Sequence, residues 1–212
     1  MNVVSIFENI EAPNVSIVKT ENKMHNIFND GCDGVIWDRG PFLPFQTWID
    51  ELEVNQLPVA RTILQPSMLR DVVKACCDNS KMLITLDRTR LIDDIAALGN
   101  IFSDIMNAPL ISLRLDCVTS NACKIFHIDA MKARLICTYR GTGTQYGNSL
   151  NGGDPKQIFT VPTGSPMILR GSHWERQNNQ GLLHRSPPIE GSGETRFVVV
   201  IDPIYELDTG PF

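Results

Sequence analysis

The chain has 212 residues and a mass of 23.7 kDa, with 42% hydrophobic and 20% charged residues. This composition is typical of a globular protein with a sizeable core, and it excludes disordered, collagen-like and disulfide-dense proteins. With 19 basic and 24 acidic residues the net charge is −5, so we expect neither nucleic acid nor a membrane surface as a partner.

Targeting signals and cysteine pairs are both lacking in the sequence. No apolar run approaches the ~20 residues of a membrane-spanning helix, and residues 1–14 lack the basic and then apolar pattern of a secretion signal. None of the six cysteines forms a CxxC pair; they are Cys32, Cys76, Cys77, Cys117, Cys123 and Cys137. We therefore expect reduced thiols and a cytoplasmic protein.

The N-terminal half contains two predicted helices. Residues 1–65 give little regular pattern, and residues 30–45 are rich in glycine, proline and aromatic residues, which indicates an ordered irregular segment. Pro66 and Ser67 begin a helix with one apolar face. Residues 87–106 show apolar residues at three- and four-residue spacing, with Asp87 as a candidate N-cap and Pro109 as the stop.

The C-terminal half is a series of short predicted strands separated by turns rich in glycine, proline, asparagine and serine. No helical pattern separates them, so the segments between the strands leave no room for the crossover helices of a parallel sheet. An antiparallel sandwich or barrel is therefore favoured. The predicted strands are 110–118, 124–128, 134–140, 157–161, 167–170 and 196–202.

Two histidines and one aspartate form a candidate metal site. His127 and Asp129 are two residues apart at the end of a strand, so their side chains point to the same face. His184 follows later in the chain, and Arg196 opens the last apolar strand. Two histidines and one carboxylate are the facial triad of non-haem Fe(II) oxygenases. This triad leaves room on the metal for a bidentate 2-oxo acid and for O₂, and an arginine fork suits the far carboxylate of that acid.

These residues resemble the pattern of the Fe(II)/2-oxoglutarate dioxygenase superfamily, which is His-x-Asp, a distal His and then an Arg, over residues 110–204. The stretches FHIDAMKARLICTYRGTGTQY, VPTGSPMILRGSHW and LLHRSPPIEGSGETRFVVVID are similar to a bacterial family known only as a domain of unknown function. The resemblance implies a mainly β protein with N-terminal helices and a double-stranded β-helix (a jelly roll, or cupin-like fold). In it, residues 109–212 form the core, and residues 1–108 are an irregular and helical segment packed on the barrel in one compact domain.

The resemblance also implies a function. His127, Asp129 and His184 would be the Fe(II) ligands and the catalytic centre, and Arg196 would hold the 2-oxoglutarate co-substrate. The enzyme would use O₂ to oxidise a C–H bond of a small molecule or an amino-acid side chain. The alternative is a jelly roll that binds or senses a divalent metal such as zinc without catalysis, and a third possibility is a purely structural domain.

One position departs from the superfamily pattern. Many members carry Ser or Thr two residues after the arginine, and this chain has Val198 there. The missing hydroxyl could come from Tyr139 or Thr138 on the strand after the His-x-Asp motif, and Arg134 is a second candidate for the 2-oxo acid.

Three further features are open to more than one interpretation. His173 competes with His184 as the distal ligand, but its distance from Arg196 in the sequence is too long. Cys123 and Cys137 could complete a zinc site with His127, although no paired spacing supports it. The loop 141–147 is rich in glycine, but it lacks the Lys-Ser/Thr ending of a phosphate-binding loop, so it is expected to shape substrate entry.

Overall fold

The computed structural model describes residues 14–149, 153–175 and 181–206. The strands are β1 (Val15–Val18), β2 (Gly34–Trp37), β3 (Ala60–Leu64), β4 (Leu110–Val118), β5 (Ala133–Arg140), β6 (Gln145–Asn148), β7 (Phe159–Thr160), β8 (Met167–Arg170), β9 (Leu182–Arg185) and β10 (Arg196–Ile204). The α-helices are α1 (Leu43–Glu51), α2 (Leu69–Asn79) and α3 (Leu86–Met106). Shorter 3₁₀ turns cover Glu21–Phe28, Val54–Gln56 and Pro66–Met68.

The strands form two sheets that pack face to face. The large sheet has the order β1-β2-β8-β5-β10-β4-β3, and all of its neighbours are antiparallel except β1 and β2. The small sheet has the order β7-β6-β9 and is antiparallel. This arrangement confirms the predicted mainly β class and the jelly-roll fold.

Two hydrophobic cores lie on the two faces of the large sheet. The inner core fills the space between the sheets and contains Ile136, Tyr146, Leu182 and Val200. The outer core joins the large sheet to the three helices. Because the large sheet is covered on both sides, its interior strand β10 is buried at every position from Arg196 to Pro203.

Strand β4 shows how the chain assigns side chains to the two faces. Its alternate residues Ile111, Leu113 and Leu115 are fully buried in the outer core. The intervening residues Arg114 and Asp116 are polar and face the small sheet, as the two-residue period of a strand requires. The same alternation in β10 directs Arg196 and Val198 inward.

Helix α3 ends as predicted, but its N-cap lies two residues earlier than predicted. Asn107 adopts a left-handed conformation with φ 50° just before Pro109, and the helix stops there. At the other end the side chain of Thr85 accepts a hydrogen bond from the backbone N–H of Arg88, at 3.0 Å. The N-cap is therefore Thr85, and the prediction of Asp87 was wrong because the helix begins at Leu86.

The N-terminal half contributes three strands that the sequence analysis did not predict. Strand β2 is fully buried from Gly34 to Ile36, so it lacks the alternation that makes a half-exposed strand recognisable. The predicted strand at 124–128 is reduced to a single bridge, between His127 and His184. No α-helix in the described part of the chain is long and apolar enough to cross a membrane.

Candidate metal centre

The backbone brings the two predicted histidine ligands together. His127 and His184 form an isolated antiparallel bridge, and each N–H donates to the other's carbonyl at 3.0 Å. Residues paired in this way project their side chains in the same direction, and the two imidazole centroids lie 4.5 Å apart. The bridge therefore brings His127, in the segment that connects β4 to β5, beside His184 on β9.

Asp129 completes the cluster. One carboxylate oxygen lies 3.1 Å from Nε2 of His184, and the other lies 3.6 Å from Nε2 of His127. One ligand atom from each of the three residues lies within 4.8 Å of the others. Among the described residues this is the one group of three or more His, Cys, Asp or Glu side chains arranged to hold a metal ion.

The chemistry of the donor atoms fits a divalent metal. Nδ1 of His127 lies 2.9 Å from the carbonyl of Ile125, so its N–H donates there and Nε2 keeps its lone pair for a ligand. Oδ2 of Asp129 is buried and makes no hydrogen bond within the described structure. A buried carboxylate oxygen without a hydrogen bond is costly unless a cation occupies the space beside it.

Arg134 orients the aspartate. One of its terminal nitrogens donates to Asp129 at 2.5 Å, while Nε and the other terminal nitrogen donate to the two oxygens of Asp202 at 2.6 and 2.8 Å. Its guanidinium is thus occupied by two carboxylates and presents no free fork to a 2-oxo acid. The suggestion that Arg134 binds the co-substrate is corrected by this geometry.

The electrostatics of the cluster favour the metal-binding protonation states of Asp129 and His184, but not that of His127. Burial acts to raise the pKa of Asp129, but His127, His184 and Arg134 outweigh it, and the carboxyl pKa is held below its usual value. Burial lowers the pKa of His184, which favours the neutral imidazole. The more exposed His127 has a raised pKa because it lies beside Asp129, so protons and metal compete at this ligand.

Arg196 is buried, with 1% of its surface exposed. Its Nε donates to the carbonyl of Thr142 at 2.7 Å, and a terminal nitrogen donates to Oγ1 of Thr138 at 3.4 Å. No carboxylate among the described residues forms an ion pair with it, and desolvation lowers its pKa. A buried guanidinium in this state is prepared to receive an anion.

The glycine-rich loop serves to hold Arg196. Gly141 has φ 78°, and a side chain there would lie 2.8 Å from the carbonyl oxygen of Thr195. Glycine therefore allows the close turn that delivers the carbonyl of Thr142 to Arg196. Residues 150–152, in the continuation of this loop, lie outside the described residues.

The two hydroxyls suggested by the sequence lie on opposite faces of β5. Thr138 is the cross-strand partner of Val198 and faces Arg196. Tyr139 lies in the outer core, where its hydroxyl donates to Asp94 at 2.5 Å. The prediction of Tyr139 beside the co-substrate is thus corrected, because adjacent residues in a strand point in opposite directions.

The competing ligands lie elsewhere. His173 is exposed in the turn after β8 and is not part of the three-residue cluster. Cys123 is exposed at the edge of the cavity, whereas Cys137 is buried in the outer core near Arg39. No cysteine of the described residues joins the cluster, so the tetrahedral cysteine and histidine site does not form.

One cavity is lined by both candidate histidine ligands and by Arg196. The sequence analysis missed Arg114 and Asp116 on β4, which line this cavity, and it missed Thr142 and Asp202, which hold Arg196 and Arg134. Arg114 and Asp116 alternate with the apolar residues of β4 in the sequence. This alternation is a signal from which their position on the opposite, inner face could have been predicted. The cavity is lined by Arg114, Asp116, His127, Thr144, His184, Arg196, Val198 and Val200, among others.

Two solved structures show the class of fold. The dioxygenase for auxin oxidation 1 of Arabidopsis thaliana, solved with 2-oxoglutarate, has a TM-score of 0.55 at 11% identity and covers 94% of each chain. The dioxygenase for auxin oxidation of rice has a TM-score of 0.51 at 11% identity, covering 92% of this chain and 83% of that chain. The chain therefore shares the fold of these two dioxygenases.

The family is shown by a match to residues 19–202. The matching model describes a protein of unknown function, DUF1826, and the chain belongs to this family. No curated protein sequence matches the chain. The family of unknown function expected from the sequence is thus confirmed, and the fold expected from the dioxygenase resemblance is confirmed as well.

Proposed function

We propose that the protein is a non-haem Fe(II) oxygenase that uses 2-oxoglutarate and acts on a small molecule. The observation that carries the proposal is the cluster of His127, Asp129 and His184, in which a buried oxygen of Asp129 without a hydrogen bond lies 3.1 Å from Nε2 of His184. The dioxygenase fold of the chain supports it.

In the proposed site, separate residues bind the metal, orient a metal ligand and bind the co-substrate. His127, Asp129 and His184 hold the metal, and Arg134 keeps Asp129 in its orientation. When bound, the Fe(II) ion with its chelated 2-oxo acid supplies the activation of O₂. Arg196 binds the far carboxylate of that acid, with Thr138 beside it. The apolar side chains of Val198 and Val200 line the same cavity and exclude water from it.

The first experiment is an anaerobic titration of the metal-free protein with Fe(II) and 2-oxoglutarate, followed by visible absorption. A charge-transfer band that requires both components is expected for the wild type and for His173→Ala, since His173 is exposed and outside the cluster. The band should be absent in His127→Ala, Asp129→Ala and His184→Ala. Stoichiometric metal retained in all three variants would contradict the assignment of the ligands.

The role of Arg196 has its own test. Arg196→Gln should weaken 2-oxoglutarate binding much more than metal binding, because a buried charged pair that loses one partner costs about 3–5 kcal/mol. Arg70→Gln, on the exposed surface of α2, removes the same charge away from the cavity and is the matched control.

If the wild type binds zinc tightly but no 2-oxoglutarate, the non-catalytic metal-binding alternative is favoured.

A further inference from the structure

Strand β4 presents two opposite charges to the cavity. Arg114 and Asp116 are two residues apart on its inner face, and both line the cavity that contains His127 and His184. Both are partly buried. We call this pair the β4 subsite.

Neither member of the β4 subsite has a polar partner in the described part of the chain. Their backbones pair with the neighbouring strands, but within the described residues the side chains of Arg114 and Asp116 form no hydrogen bond or ion pair, either with each other or with another residue. Other partly buried arginines are satisfied: Arg39 binds both oxygens of Asp94, and Arg134 binds two carboxylates. Charged groups that are partly removed from water without a partner lower stability, so their retention in a cavity points to a ligand.

A second arginine increases the need for an anion. Arg61 on β3 is the cross-strand partner of Arg114, so the two guanidinium groups share one face of the sheet. Like charges directly opposite each other on adjacent strands are destabilising. Arg61 is exposed and also forms no ion pair with a described residue. A carboxylate bound at Arg114 would relieve this repulsion.

Asp116, in contrast to Arg114 with its neighbour Arg61, has an apolar residue as its cross-strand partner. Its partner on β10 is Val198, which is apolar and lies in the inner core. The carboxylate therefore has an apolar neighbour on that side and Arg114 two positions away on the same face, about 7 Å along the strand. A dicarboxylate would be repelled by Asp116, and a simple amine would be repelled by Arg114 and Arg61.

We propose that the β4 subsite binds a free α-amino acid, with its carboxylate at Arg114 and its ammonium group at Asp116. The side chain of the amino acid would then extend along the cavity toward His127 and His184. The assignment of this ligand as the substrate rests on the proposed oxygenase function, whereas its binding at β4 does not.

Binding is tested with protein that is loaded with Zn²⁺ and 2-oxoglutarate. Zn²⁺ has no redox chemistry, so this complex does not react with O₂. Each of the common L-α-amino acids is titrated separately by calorimetry, and every one that binds is repeated as its N-acetyl derivative and as its amide. At least one free amino acid is expected to bind. Its two derivatives should bind at least about tenfold more weakly, because each has lost one of the two charges.

Two variants test the residues. Arg114→Gln and Asp116→Asn should each weaken amino-acid binding at least about tenfold. The matched controls Arg70→Gln and Asp104→Asn remove the same charges from exposed helix positions and should bind as the wild type does. Affinity for 2-oxoglutarate should be unchanged in Arg114→Gln; a loss there would assign Arg114 to the co-substrate and overturn the proposal.

The other outcomes are also decisive. If the loaded protein binds no amino acid, or if both β4 variants bind as tightly as the wild type, the proposal fails while the oxygenase function stands. If the wild type binds neither metal nor 2-oxoglutarate, the oxygenase function fails, and the same titrations are made on the metal-free protein. Binding that is lost in Arg114→Gln would then support the β4 subsite by itself, and no binding would overturn it.

Discussion

Arg134 joins two carboxylates that would otherwise repel each other. It contacts Asp129 of the candidate metal site and Asp202 of β10, and all three side chains are between 11% and 13% exposed. The candidate ligand Asp129 is therefore anchored to the interior strand β10 of the large sheet through one planar guanidinium group. Lysine cannot reproduce this geometry, because it carries a point charge without a fork.

Arg134→Lys should therefore lower metal affinity by about 10- to 100-fold, the usual effect of losing a group that orients a metal ligand. The protein should remain folded, since the positive charge is kept. Metal affinity measured by Mn²⁺ electron paramagnetic resonance checks this, with the exposed Arg61→Lys on β3 as the control. Unchanged affinity would show that Asp129 needs no support from Arg134.

Thr138 offers a hydroxyl beside Val198, the position at which many members of the superfamily carry Ser or Thr. It is the cross-strand neighbour of Val198 and accepts a hydrogen bond from Arg196. Thr138→Val removes the hydroxyl at constant shape, and a hydrogen bond of about 1 kcal/mol corresponds to roughly fivefold weaker 2-oxoglutarate binding. Calorimetry with the metal-loaded protein measures this. Val198→Thr should bind at least as tightly as the wild type, and a large loss in that variant would contradict the assignment.

At the scale of elements, Asp94 ties helix α3 to the large sheet. It accepts hydrogen bonds from Tyr139 on β5 and from Arg39, which also donates to the carbonyl of Gly164. Tyr139 is fully buried, and its proximity to Asp94 and its burial both raise its pKa well above the usual range. Its hydroxyl therefore remains a donor at any ordinary pH.

Tyr139→Phe should lower the free energy of unfolding by about 1.5–3 kcal/mol, because it removes a buried hydrogen bond to a charged group. Affinity for 2-oxoglutarate should not change, since Tyr139 faces the helices. Urea unfolding and calorimetry on the same sample check both parts. A large loss of 2-oxoglutarate affinity with unchanged stability would return Tyr139 to the co-substrate site.

At the scale of the whole molecule, the candidate metal links segments far apart in the chain. His127 and Asp129 lie between β4 and β5, while His184 lies on β9 in the other sheet. Metal bound to all three can be present only in the folded state. It therefore stabilises that state by mass action.

A divalent metal at about 100 times its dissociation constant should add about 2.7 kcal/mol, which raises the Tm by roughly 5–10 °C for a chain of this size. The rise should be absent in His184→Ala and intact in His173→Ala. Calorimetry with and without Mn²⁺ measures it. An equal rise in both variants would place the metal elsewhere.

The sequence alone determined the parts that depend on local spacing. Short apolar segments between turn residues placed β4, β5, β8 and β10 within a residue or two of their observed bounds, and the His-x-Asp motif with the distal His184 predicted the cluster. These features depend on the two-residue period of a strand and on a recognisable pattern, both of which are visible in one dimension.

Only the tertiary structure decided which long-range partners meet. The joining of β1, β2 and β3 to the large sheet follows from pairing between distant segments, and short or doubly buried strands leave little trace in the sequence. Likewise, the register of β5 against β10 sets Thr138 beside Arg196 and turns Tyr139 to the helices. A shift of one residue would exchange the two hydroxyls, because neighbouring side chains in a strand lie on opposite faces.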